Sequence, residues 1–139
     1  MSLHLIKLSV GTEDVDGLAR WQARRLRQTG RLFHRTRMMP RRRDELLAGG
    51  SIYWVIRGYV RARQRLIGIE RAADRQGRPS TLLLLDPELH RTLPRAHRPF
   101  QGWRYLAPED APLDLAELPR GVADMPPDMA AELRELGLL

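Results

Sequence analysis

The 139-residue sequence contains no cysteine. Disulfide frameworks, thiolate zinc sites, iron–sulfur clusters and cysteine nucleophiles are therefore excluded. It has no run of eighteen apolar residues, so no helix is expected to span a membrane. Residues 1–10 alternate polar and apolar and lack a signal-peptide core, which leads us to expect a cytoplasmic protein. Nothing in the sequence reads as a phosphate-cradling glycine loop, a dinucleotide fingerprint or a nucleophile elbow. Lysine is nearly absent: of 24 basic residues only Lys7 is not arginine.

What the chain has in excess is arginine, unevenly placed. Residues 1–104 carry a net +13 and residues 105–139 a net −6. Arginine offers a planar fork that grips phosphate bidentately and stacks on bases. A basic body with an acidic end therefore points to a polyanion such as nucleic acid, or to a solvated basic surface partly neutralised by the chain's own tail.

Patterning predicts a strand over residues 3–10, broken by Gly11. A helix over 13–29 follows, with Thr12 as its cap, an inner stripe of Val15, Leu18, Ala19, Gln22 and Leu26, and Gly30 as its stop. Residues 31–39 read as extended or loop. A short helix over 40–48 opens at Pro40 and ends at Gly49-Gly50. Residues 52–57 are the clearest strand, and 59–70 form the next. Arg61, Arg63 and Arg65 would then share a face. A turn at 74–79 precedes an apolar strand over 81–85, residues 87–99 read as irregular, and 100–106 form the last strand. Five prolines with several acids mark 107–127 as an extended arm, and a short helix over 128–136 ends the chain. We expect this arm to lie against the basic body, anchored by leucines such as Leu113 and Leu115.

The four histidines, His4, His34, His90 and His97, show no metal-pair spacing, so no metal or cofactor is expected. His34 and His97 are candidate bases, more simply read as loop histidines. Asp44 and Glu45 are possible acids or bases that more simply balance Arg41 to Arg43. The richest segment runs from Arg37 to Arg65, where arginines lie beside aromatic strand residues. The candidate nucleic-acid-binding set is Arg37, Arg41, Arg42, Trp54, Arg57, Arg61, Arg63, Arg65 and Trp103, with phosphates on the arginines and a base on a tryptophan. Core burial is the competing role for Trp54, which alternates with Ile52 and Ile56, and for Trp103.

The segment Arg98-Pro-Phe-Gln-Gly-Trp-Arg-Tyr-Leu106, the N-terminal His-Leu-Ile-Lys-Leu and the Pro-Glu-Asp-Ala-Pro after it carry a resemblance across most of residues 1–115. They resemble a mainly alphaproteobacterial family catalogued as domain of unknown function number 1489. That resemblance implies no established activity and no catalytic residues. The order Pro40, Glu45-Leu46-Leu47, Gly49-Gly50, Tyr53-Trp54-Val55-Ile56-Arg57 also looks like the opening of PUA-like and ASCH-type domains. These are small β-barrels, often RNA-binding, although Ser51-Ile52 stands here where they usually have lysine-threonine.

The expected architecture is one α+β domain over 1–106, with a proline- and acid-rich arm over 107–139. The domain is a small curved, mostly antiparallel sheet or partly closed PUA-like β-barrel with two covering helices. The expected function is RNA or nucleotide binding through an arginine-rich groove. The alternatives are a small hydrolase of a modified nucleoside, using Asp44, Glu45 or His34 as base, and a protein-interaction module with an acidic partner.

Overall fold

The computed structural model describes residues 2–117. In chain order its elements are β1 (His4–Leu8), α1 (Val15–Thr29), β2 (Phe33–Thr36), α2 (Arg43–Leu47), β3 (Ser51–Ile56), β4 (Tyr59–Ala73), β5 (Pro79–Leu85), β6 (His90–Ala96) and β7 (Trp103–Leu106). Two single turns of 3-10 helix, Pro108–Asp110 and Leu115–Glu117, follow. The sheet has seven strands in the order β2-β5-β4-β3-β1-β7, with β6 also pairing β4. Among the described strands only β1 and β3 pair in parallel, and the sheet is open rather than closed into a barrel. No described helix is long and apolar enough to cross a membrane.

The 15-residue β4 organises the sheet. Residues alternate the edge to which their backbone groups point, and β4 uses both edges. Leu66 N–H donates to the Gly50 carbonyl on the β3 side, whereas the Arg65 carbonyl accepts from Asp86 N–H on the other side. The second edge is shared end to end by β6 and β5.

Both faces of the sheet are covered. α1 lays Val15, Leu18 and Gln22 over a cluster that includes Leu5, Ile52, Trp54, Ile56, Leu66 and Leu83. The opposite face collects Ile6, Tyr53, Val55, Val60 and Leu106. Gly50 shows how closely α2 meets β1: a Cβ there would overlap the carbonyl oxygens of Leu3 and Leu46.

Several expectations are corrected. α1 is capped by Asp14, whose Oδ1 accepts from Gly17 N–H at 2.6 Å, while Thr12 instead bonds Ser9. Ala19 faces solvent. Part of the segment 31–39, read as extended or loop, is the edge strand β2. Residues 87–99 contain β6, which Pro94 hid. The proline falls where β6 departs from simple register, between the pairs Ala62–Arg91 and Val60–Arg95, so no ladder hydrogen bond is lost. Arg57 lies in the two-residue β3–β4 turn with Gly58, at φ 52° and 81° respectively, a backbone suited to the twist of a hairpin.

The first residues of the arm do lie on the body. Asp114, 7% exposed, accepts two bonds from the Arg63 guanidinium at 2.8 and 2.7 Å, and Leu93 N–H donates to the Leu113 carbonyl. The anchor is this carboxylate rather than Leu113, whose side chain is exposed. The expected helix over 128–136 lies outside the described residues.

At the centre, Gln64 uses all of its amide capacity. Its Oε1 accepts from Gln22 Nε2 at 2.7 Å and from Trp54 Nε1 at 2.9 Å. Its Nε2 donates to Gln22 Oε1 at 2.7 Å and to the Asp86 carbonyl at 3.1 Å. Replacing Gln64 with methionine keeps the volume but strands the indole N–H and the Gln22 amide in the core. We expect a loss of about 2–4 kcal/mol in urea denaturation. A loss below about 0.5 kcal/mol would show the network to be dispensable.

Candidate functional site: a basic aromatic cleft

The expected site residues do not gather in one place. Arg37 lines a shallow depression of about 580 Å³ with Arg35, Arg78 and Asp74. Arg41 and Arg42 precede α2, and Arg42 is held by Glu45 at 2.5 Å. Arg61 occupies a bulge between the register pairs Trp54–Ala62 and Val55–Val60, and its Nε donates to the Ile56 carbonyl. The expected stripe is thus reduced to Arg63 and Arg65, which stand opposite Tyr53 and Ser51. Arg63 is already neutralised by Asp114. Trp103 is partly buried, edge-on to Tyr105, with its Nε1 donating to the Met38 carbonyl.

Of the nine, only Trp54 reaches a cleft of about 560 Å³ between the end of β1, α1 and β2. This size suits a small organic ligand. The sheet supplies its floor: alternation along β1 puts Lys7 on the same face as Leu5, in register with Trp54 of β3 and Trp103 of β7. Trp54 is 3% exposed and meets His34 edge-on at 5.3 Å. α1 supplies a wall of Trp21, Gln22, Arg20 and Arg24, and the turn into it adds Glu13 and Asp14. Trp21 is 45% exposed, and the Arg25 guanidinium stacks between it and Phe33, at 5.2 and 4.6 Å from the ring centres. Such stacking holds an aromatic wall and a cation in one rigid unit.

The electrostatics of the floor are unusual. Burial, and then the charges of Lys7 and Arg25, push His34 down to about 4, so its imidazole is neutral. Burial also lowers Lys7. Neither Lys7 nor His34 has a hydrogen-bond or ion-pair partner among the described residues, and His34 Nε2 and Arg25 Nε are buried without one. No group of three or more metal-ligating side chains occurs among them.

Of the proposed hydrolytic bases, Glu45 is engaged by Arg42 and His34 lies in the cleft. Sequence reasoning read His34 most simply as a loop histidine and gave Lys7 no part in the site. The available signal was that Lys7 is the one lysine among so many arginines.

The model of a family described as "Protein of unknown function (DUF1489)" matches residues 5–139. No curated protein and no solved structure matches the chain.

The buried neutral imidazole sets a pH dependence. Unfolding exposes His34, whose value returns to an ordinary 6.5 from about 4. The unfolded chain then binds the extra proton, so stability is full above pH 6.5, falls as pH drops toward 4 and levels off below it. The expected total is on the order of 3 kcal/mol. In His34→Gln this part of the slope should vanish when urea midpoints are compared across that range. An unchanged slope would mean that His34 titrates normally in the fold.

Proposed function

The chain belongs to the DUF1489 family, whose description assigns no activity, and from the site itself we propose that the protein binds RNA or a nucleotide. One observation carries this reading: the cleft puts exposed aromatic surface and unpaired cations together. Trp21 supplies a ring face for a base, while Arg20, Arg24 and Lys7 supply cations without carboxylate partners among the described residues. Stacking on an aromatic face tolerates any base, and cations along the same wall meet phosphates. Arg37 and Arg65, each without an ion-pair partner among the described residues, would extend the contact for a polymer.

The test is a salt titration with a short labelled single-stranded RNA. Log affinity should fall linearly with log salt, and Arg20→Gln with Arg24→Gln should lower the slope by roughly 0.7 for each lost phosphate contact. Trp21→Ala should weaken binding by about 1–3 kcal/mol with little change in slope. Absence of binding at low salt, or an affinity indifferent to salt and to Trp21, would overturn the reading.

A further inference from the structure

The floor of the cleft has a property that nucleotide binding in general does not require. Lys7 of β1 and Arg25 of α1 both act on the His34 imidazole of β2, and no described carboxylate pairs with any of the three. The nearest elements add no counter-charge of their own: β3 contributes Trp54, and β5 sets Leu83 opposite His34. Of the cleft's two acids, Asp14 is committed to capping α1, and Glu13 sits beside it in the turn.

Like charges held together in a partly buried place repel, and this arrangement leaves the repulsion uncompensated. Two of the three buried side-chain atoms that lack a partner among the described residues, Arg25 Nε and His34 Nε2, belong to this cluster. Buried polar atoms are normally satisfied, so two unpartnered ones beside the cleft leave this cluster polar and without compensation. An oxyanion in the cleft supplies the negative charge that Lys7, which lines it, and Arg25, behind its wall, lack.

We propose that the floor of the cleft is a subsite for a terminal phosphate group, contacted by Lys7 beside the His34 ring and backed by the charge of Arg25. The proposal rests on the nucleotide reading and narrows it. The ligand is a mononucleotide or the phosphorylated end of an RNA, its phosphate inward against Lys7 and its base outward against Trp21. An internal phosphodiester has a chain leaving on both sides and fits a floor closed by Trp54 and His34 less well.

The experiment compares four ligands on the full chain by tryptophan fluorescence: a nucleoside, its 5′-monophosphate, and a single-stranded RNA with and without a 5′-phosphate. The monophosphates should bind at least roughly tenfold tighter than their unphosphorylated forms, a difference of about 1.4 kcal/mol. Lys7→Gln should erase that preference, and Lys7→Arg should restore part of it. Equal binding with and without the terminal phosphate would overturn the subsite and leave the nucleotide reading standing.

A second measurement works even if no nucleotide binds. Inorganic phosphate, and acetate in a parallel titration, are followed at the His34 ring nitrogens by NMR in the wild type and in Lys7→Gln. Saturable shifts with phosphate that Lys7→Gln abolishes would support the subsite and place any failure in the nucleotide reading alone. No shift with phosphate, or equal shifts with acetate, would overturn the assignment to phosphate.

Discussion

Gln64 is the constraint on which the rest of the domain depends. It is fully buried in the middle of β4, and its amide joins α1 through Gln22, β3 through Trp54 and the segment after β5 through the Asp86 carbonyl. A hydrophobic side chain there could bury the same area, but it would not specify how α1 is rotated on the sheet. The two glutamines exchange a reciprocal pair of bonds, and those bonds favour one register of helix on strand. Because Gln22 and Trp54 also line the cleft, the network that orients α1 fixes one wall of the cleft and part of its floor. Core and site thus share one set of bonds, and a change in the packing of α1 would be felt at the floor.

Charge is distributed by the same logic of pairing. Arg63, Arg95 and Arg91 are each met by a carboxylate from a distant part of the chain, Asp114, Asp110 and Asp16 respectively. The Arg63 pair is the most buried of these, and its bidentate geometry ties the arm's first residues to β4. Exposed pairs contribute little to stability, so Asp114 carries more of the arm's attachment than Asp110. The cations left unpaired include Lys7, Arg20 and Arg24, which line the cleft. What the net charge of the chain advertises is therefore not a uniform basic face. The acidic arm removes part of it and leaves the cleft among the remaining cationic places.

Much of the fold was legible because its signals are local. Ser51–Ile56 is a run of strand formers, α1 shows a stripe at helical spacing with Gly30 behind it, and the arm announces itself by proline and acid. Even the polar Gln22 could be placed inward by its spacing. The missed strand β6 was obscured by Pro94, whose cost disappears only at a bulge that depends on β4. The face shared by Arg61 and Arg63 failed for a related reason: period two holds along a strand until a bulge adds a residue, and the bulge is set by pairing with β3. The cleft was not legible because its members come from β1, α1, β2 and β3, and neither the rarity of Lys7 nor the position of His34 in the sequence brings the two together. Their meaning lies in the missing counter-charge, which no one-dimensional pattern records.

The position of β1 has a consequence for how the chain reaches this structure during synthesis. β1 is made first, yet it sits inside the sheet, between β3, whose last residue is Ile56, and β7, which ends at Leu106. A nascent chain can give β1 one neighbour once β3 has emerged, but its other edge stays open until β7 follows. An unpaired strand edge with apolar residues is a template for association with another chain. Lys7, which pairs with Trp103 across that edge, interrupts the apolar strand with a charged side chain, so the residue that stands at the floor of the cleft in the finished protein would also act as a gatekeeper on the ribosome.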